Sequence, residues 1–178
     1  MITPARITNG TERTLLENML DYNRAALIQT VEGLSEEEAR RRLVASATTP
    51  IGLIKHAAAG ERIWFQHYLA GLPEAECDGY ARRGEGSFAV SDDETLADVI
   101  AEFERASDRS RAIAERYDLD HTVQHPRAGT VSLRFIYLLG IEDFARHAGH
   151  GDILAEQIHH PMGTVSQGSP QRGKSVGS

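Results

Sequence analysis

The sequence predicts an all-α protein built as a four-helix bundle. Four long segments carry apolar residues at the three- and four-residue spacing of an amphipathic helix, and no segment shows the sustained alternation of a strand. The chain has 178 residues, which is enough for one domain with a sizeable core. Four helices of this length around one core form a bundle. We therefore expect little or no β-sheet and place the domain over residues 1–160.

Local signals divide the first half of the chain into a long helix, a short helix and a second long helix. The first long helix is predicted over residues 11–32. A short helix follows from Ser35, whose hydroxyl can cap a first turn of three glutamates that suit the helix dipole. The second long helix is predicted to begin at Thr49 and Pro50 and to end at Gly71. Threonine is a good N-cap there, and proline is tolerated at the first helical position.

The second half holds a long loop and two further helices. Residues 72–90 contain several glycines and are predicted to form a loop with at most a short helical turn, and a loop of this length is often functional. The third long helix is predicted to begin at Ser91, which has capping-box spacing with Glu94. Residues 118–130 are a connection, and the fourth long helix covers residues 132–158.

Composition limits the classes of partner and compartment. The net charge is −7, which argues against nucleic acid as the main partner and weakly against an anionic membrane surface. With the single cysteine, Cys77, no intramolecular disulfide can form, and a reducing compartment is expected. No apolar run reaches the ~20 residues that cross a bilayer, and residues 1–9 lack the apolar core of a signal peptide. We expect a cytoplasmic protein with a flexible tail over residues 161–178.

Polar residues interrupt the apolar face of the fourth long helix. Asp143 and His147 are four residues apart, so they lie on the same face as Ile136 and Leu154. A carboxylate and an imidazole in an apolar stripe need partners because their desolvation is costly, and bundle cores commonly bind metals through such a pair. His56, on the inward side of the second long helix, is the candidate third ligand. Two nitrogens and one oxygen leave a coordination position open, as in catalytic sites.

The same spacing has a less specific interpretation. An aspartate and a histidine four apart on a helix also occur as a surface hydrogen bond or as a satisfied core pair. A single inward histidine such as His56 is commonly bonded to a carbonyl group. Spacing alone therefore leaves metal binding as one of two interpretations.

Six short segments carry a resemblance to a known family. They are 33–39 (GLSEEEA), 50–56 (PIGLIKH), 61–62 (ER), 64–65 (WF), 132–134 (SLR) and 145–154 (ARHAGHGDIL). The last segment is the most specific because several residue types are fixed over a short stretch. Together they resemble the DinB-like superfamily, in particular its branch of mycothiol-dependent, or thiol-dependent, transferase-like proteins. The resemblance covers most of the chain between residues 11 and 158.

The resemblance implies a fold and a ligand set. The fold is an up-down-down-up four-helix bundle with short extra helices. The ligands are one residue of the second long helix, matched by His56, and two of the fourth, matched by Asp143 and His147. Glutamate or histidine is usual where this chain has Asp143, whose side chain is one methylene shorter than that of glutamate. His150, one turn beyond His147, is therefore an alternative ligand or a residue that orients a ligand or moves a proton.

The resemblance also implies an activity. A divalent metal ion, zinc or nickel first, activates water or a low-molecular-weight thiol of the mycothiol or bacillithiol type for transfer to a small electrophile. Relatives often form dimers, so a homodimer is expected. A non-catalytic metal-binding or stress-linked bundle with a vestigial site stays the alternative, because Asp143 departs from the family pattern and fold does not imply function.

Other basic residues are predicted to lie outside the ligand set. His67 is eleven residues beyond the candidate ligand of the second long helix, which is about 16 Å along a helix. His121 and His125, in the connection before the fourth long helix, are predicted to be solvated, with a position over the mouth of the site as the alternative. Arg82 and Arg83, on the long loop, are predicted to form a solvated face, with contact to an anionic substrate as the alternative.

Overall fold

In a computed structural model of the protein, which describes residues 3–160, the predicted all-α four-helix bundle is confirmed. The four long helices and one short helix are α1 (Glu12–Gln29), α2 (Glu36–Ala39), α3 (Pro50–Glu61), α4 (Leu96–Ala114) and α5 (Leu133–His159). The predicted tail, residues 161–178, lies outside the described residues. None of the helices within residues 3–160 is both long and apolar enough to span a membrane. The cytoplasmic location, the homodimer and the domain boundary stay predictions.

Polar N-caps define where the helices begin. The Thr11 hydroxyl accepts from the backbone N–H of Thr14 at 3.2 Å, and the Thr49 hydroxyl accepts from the N–H of Gly52 at 3.1 Å. Ser35 caps α2 as predicted. Each cap satisfies a backbone N–H that has no partner within its helix, which stabilises the helix by about 1 kcal/mol. The start of α3 therefore lies where the sequence predicts it.

The second long helix predicted from the sequence consists of two segments with different geometry. α3 continues directly into a π-helical segment, Arg62–Leu69. The N–H of Ala70 donates to the carbonyl of Phe65, five residues back, at 3.0 Å, which is the π-helical pattern. Such segments are wider than an α-helix and are frequent at functional sites. An α-helical period therefore does not predict which way the side chains beyond residue 61 face.

Apolar side chains of all four long helices form one core. α1 packs against α5, and α3 packs against both α4 and α5. The centre of the core is made of fully buried side chains, namely Leu20, Leu27, Leu53, Ile54, Phe103 and Ile136. Because α3 and α5 are neighbours in this arrangement, polar residues on their facing sides come together.

The close approach of α5 to the end of α1 depends on Gly151. A Cβ atom at this position would lie 2.7 Å from Thr30 Cβ, closer than real Cβ atoms approach a heavy atom. Gly149, two residues earlier on the same helix, has open space around the position of a Cβ. The two glycines of the segment 145–154 therefore have different roles in packing.

A buried ion pair links α1 to α3. Two guanidinium nitrogens of Arg24 donate to the two carboxylate oxygens of Glu61 at 2.7 and 2.8 Å, and both side chains are buried. Arg24 also donates to Asp21, which accepts from Arg111 at 2.8 Å as well. Burial by itself raises the pKa of Asp21, but the hydrogen bonds and charges of these two arginines outweigh it. The pKa of Asp21 consequently lies below its ordinary value.

The third long helix begins later than predicted, and the prediction of Ser91 as its start was wrong. The Ser91 N–H does donate to the Glu94 carboxylate at 2.9 Å, but these residues close a turn. α4 begins at Leu96, with Thr95 as its N-cap in a capping box of its own. The Leu96 N–H donates to the carboxylate of Glu36 at 2.9 Å. This contact joins residues 60 apart in sequence, so local patterns do not reveal it.

The connection before α5 contains a small β-hairpin. Strands β1 (Thr122–His125) and β2 (Gly129–Ser132) pair antiparallel, with His125 opposite Gly129. Gly129 has φ +73°, a conformation that glycine adopts without steric cost. This sheet has two strands, which agrees with the expectation of little β-structure, but the connection is ordered rather than irregular.

The prediction that His125 is solvated was wrong. His125 is only 7% exposed, and its ring packs on Trp64 and Tyr68 with centroid distances of 5.1 and 4.5 Å. His121 is exposed, as predicted. The hairpin places His125 against the π-helical segment, and this tertiary contact replaces the solvent that a loop residue would otherwise meet.

Candidate metal centre

The three predicted ligands lie together between α3 and α5. One ligand atom from each of His56, Asp143 and His147 lies within 4.8 Å of the others. His147 Nε2 is 3.4 Å from Asp143 Oδ1, and the rings of His56 and His147 are 4.8 Å apart between centroids at an angle of 81°. Ligands about 2.1 Å from one tetrahedral ion stand about 3.4 Å apart, so small side-chain adjustments bring this group to coordination distances.

The orientation of His56 is set by the loop between α3 and α4. The Ser87 hydroxyl donates to the carbonyl of Gly84 at 2.6 Å and lies 2.7 Å from His56 Nδ1. Because a hydroxyl has one proton, Nδ1 must be the donor to Ser87, and the Nε2 lone pair is left free for a cation. The Phe88 ring stacks on the His56 ring with centroids 4.1 Å apart and an angle of 6°.

The protonation states of the cluster suit metal ligands. Burial, together with the charges of His147 and Arg83, lowers the pKa of His56 to about 4, so its ring is neutral near pH 7. Burial by itself raises the pKa of Asp143, but the hydrogen bond and charge of His147 outweigh it and hold that pKa below its ordinary value. A neutral imidazole and an ionised carboxylate are the forms that bind metal ions.

The donor set has one buried atom without a partner. His147 Nδ1 is inaccessible and forms no hydrogen bond within residues 3–160. A buried polar atom without a partner is unfavourable, and such atoms are rare in folded proteins. The neutral imidazole of His56, the ionised Asp143 and an imidazole whose buried Nδ1 has no partner among residues 3–160 therefore fit a divalent cation.

His150 lies beside the cluster and not within it. Its ring centroid is 5.8 Å from that of His147, and the residue is exposed. It lines an open cavity of about 320 Å³ together with Val44 and Ile153. Of the two candidates for the remaining ligand, the structure brings Asp143, and not His150, to His56 and His147.

Sequence reasoning missed Ser87 and Phe88. They lie in a short 3-10 helix, Glu85–Phe88, within the long loop after α3. The only signal for them was the length of that loop, which predicted a functional role without naming a residue. Arg146 and Glu142, one turn apart on α5, form an ion pair on the exposed face, so the carboxylate adjacent to Asp143 points away from the cluster.

The four-helix arrangement is that of a DinB-like bundle. The chain belongs to the mycothiol S-transferase family, because the family model described as MST, mycothiol-S-transferase, matches residues 15–160. The resemblance seen in the sequence is thereby confirmed. A search of curated proteins finds none that matches the chain. The family's description indicates a transferase-like enzyme with a small-molecule thiol as substrate.

Proposed function

We propose that this protein is a metal-dependent thiol transferase. In this proposal His56, Asp143 and His147 hold one divalent cation, zinc or nickel first, and a low-molecular-weight thiol of the mycothiol type is transferred to a small electrophile. The observation that carries the proposal is the convergence of three ligand atoms from α3 and α5 within 4.8 Å. Membership of the mycothiol S-transferase family supports the choice of a thiol.

The chain's own residues would prepare and orient this site. When bound, a divalent cation with an open coordination position lowers the pKa of an adjacent thiol and so supplies a sulfur nucleophile near neutral pH. Ser87 keeps the Nε2 lone pair of His56 free, and Phe88 restricts rotation of that ring. Asp143 supplies the negative charge. We assign His150 the transfer of the thiol proton to solvent, because it is exposed beside His147.

The thiol is expected to come from the cosubstrate and not from the chain. Cys77 is the single cysteine, and burial together with the charge of Asp78 raises its pKa. A raised pKa keeps this thiol protonated and weakly nucleophilic near neutral pH. In the proposed reaction the cosubstrate's S–H bond loses its proton and a sulfur–carbon bond forms to the electrophile. A leaving group then departs with its electron pair, or the electrophile takes up a proton.

Metal analysis and thiol consumption test this proposal. Full-length protein purified without chelator is expected to carry near-stoichiometric zinc or nickel, which His56→Ala and His147→Ala lose. His121→Ala, an exposed histidine outside the cluster, is the matched control and should retain the metal. The loaded protein should then consume mycothiol in the presence of 1-chloro-2,4-dinitrobenzene or a related electrophile.

Two results would count against the proposal in different ways. Metal-free wild-type protein that gains no stability from added zinc or nickel would contradict metal binding and favour the non-catalytic alternative. Metal-loaded protein that consumes no thiol with any electrophile would contradict the transferase and leave a metal-binding bundle.

A further inference from the structure

A basic groove with a volume of about 460 Å³ lies outside the candidate metal centre. It is formed by three elements, which are the π-helical segment, the long loop after α3 and the β-hairpin. Its basic side chains are Arg82, Arg83, Arg127, His67 and His125, and we call it the arginine groove. A concentration of positive charge is unexpected on a chain whose net charge is −7.

Two of the three arginines have no carboxylate partner in the described part of the chain. Arg82 pairs with Glu74 at 2.6 Å, so those two charges cancel locally. Within residues 3–160, neither Arg83 nor Arg127 forms an ion pair. Arg83 instead lies over the ring of Trp64, 5.1 Å from its centroid. A guanidinium presents a fork of N–H donors that matches a carboxylate or phosphate, so the groove offers two such forks without an internal acceptor.

His125 adds a donor that has no acceptor. Its Nδ1 accepts from the backbone N–H groups of Arg127 and Ala128 at 3.2 and 3.0 Å. The neutral ring must therefore carry its proton on Nε2, which is buried and has no hydrogen-bond partner within the described residues. Burial, with the charges of Arg83 and Arg127, keeps the pKa of His125 below its ordinary value. An oxygen of a bound ligand would satisfy this N–H.

The arginine groove is close to the candidate metal centre. Trp64 contacts both Arg83 and His125, and it also lines a small cavity that includes Asp143. The groove begins at Ile63, seven residues beyond His56, which is about 10 Å along a helix. An elongated small molecule can therefore reach from the groove to the cluster.

We propose that the arginine groove binds an anionic group, a carboxylate or a phosphate, on the electrophile that reacts at the candidate metal centre. Two guanidinium groups and the Nε2–H of His125 recognise the anion, and the rest of the molecule extends along Trp64 toward the cluster. The inference that the groove binds an anion rests only on the residues of the groove. The statement that the anion belongs to the electrophile rests on the proposed function.

Trp64 makes anion binding measurable because it is the single tryptophan of the chain and contacts two residues of the groove. Full-length protein is titrated separately with sodium succinate and sodium phosphate, at an ionic strength held constant with sodium chloride, and Trp64 fluorescence is recorded. A saturable response is expected with at least one of the two. A response to succinate alone indicates a carboxylate site, and a response to phosphate alone indicates a phosphate site.

Charge-neutral variants show whether the response comes from the arginine groove. Arg127→Gln keeps the backbone N–H to His125 and removes one guanidinium, so it should weaken binding about tenfold, or about 1.4 kcal/mol. Arg83→Gln should weaken binding to a similar extent, measured by calorimetry because it also alters the surroundings of Trp64. Arg105→Gln, an exposed arginine on α4, is the matched control and should bind as wild type.

The outcomes separate this proposal from the previous one. Saturable binding that persists in His147→Ala supports a groove whose anion binding does not require the metal ligands. The absence of a saturable response to either anion would contradict anion binding by the arginine groove. Weakening of binding in Arg105→Gln equal to that in Arg127→Gln would contradict it as well. If the protein consumes thiol, it should react faster with electrophiles that carry a carboxylic acid than with the corresponding amides. Arg127→Gln should reduce this ratio of rates about tenfold. Anion binding without this preference would overturn the link to the electrophile.

Discussion

The Ser87 hydroxyl fixes the orientation of His56, and removing it tests the candidate metal centre without changing a ligand. In Ser87→Ala, His56 Nδ1 loses its acceptor at 2.7 Å, and the Gly84 carbonyl loses a donor at 2.6 Å. The ring can then adopt either tautomer, although its stacking on Phe88 remains. Hydrogen-bond partners of metal-binding histidines typically contribute 10–100-fold to metal affinity. We therefore expect the zinc Kd to rise about 10–100-fold, or about 1.4–2.7 kcal/mol.

Competition with a chromophoric zinc chelator measures this effect on the full-length protein. Ser107→Ala is the matched control, because Ser107 on α4 is also fully buried but its hydroxyl has no hydrogen-bond partner within residues 3–160. Its zinc affinity should equal that of wild type. Thermal unfolding of each metal-free variant checks that the bundle is intact. A folded Ser87→Ala protein with the zinc affinity of wild type would refute the argument that this hydrogen bond prepares His56 for a cation.

Three further predictions concern the stability of the bundle. Gly151→Ala should lower the free energy of unfolding by about 1–3 kcal/mol because of the steric conflict with the end of α1, whereas Gly149→Ala should raise it by up to about 1 kcal/mol. Urea unfolding compares the two, and equal effects would contradict the close approach. Glu61→Gln leaves the buried charge of Arg24 with a weakened partner and should cost about 3–5 kcal/mol in the same assay, so a loss below about 1 kcal/mol would contradict a buried ion pair. The difference in unfolding free energy between wild type and Asp21→Asn should shrink as the pH falls below 3.8, because a carboxylate with a lowered pKa in the folded state stabilises it only while ionised. A difference independent of pH would contradict the pairing of Asp21 with its arginines.

Trp64 has contacts toward both the arginine groove and the candidate metal centre. Trp64 lies between them and contacts Arg83 and His125 on the groove side, while the small cavity that it lines includes Asp143. Trp64 belongs to the π-helical segment, which widens the helix at this point. The π-helical segment therefore carries the residue, Trp64, that lies between the arginine groove and the candidate metal centre.

Features that depend on short stretches of sequence were determined by the sequence itself. The start of α3 at Thr49 and Pro50 follows from cap chemistry, which involves residues a few positions apart. The placement of Asp143 and His147 on one face follows from the helical repeat. His56 as their companion was named through family resemblance and its inward position. The helix start and the shared face could be predicted because one turn of helix is enough to decide them, whereas the role of His56 as a ligand stays a prediction.

Features that depend on distant contacts were decided only by the tertiary structure. Ser87 reaches His56 from 31 residues away, and Glu36 meets Leu96 across 60 residues. His125 is buried because its hairpin packs on Trp64, although its own sequence neighbours are typical of a solvated loop. The free energy of such contacts comes from groups that the folded backbone brings together. Periodicity and capping describe only neighbours along the chain, so they carry no information about these partners.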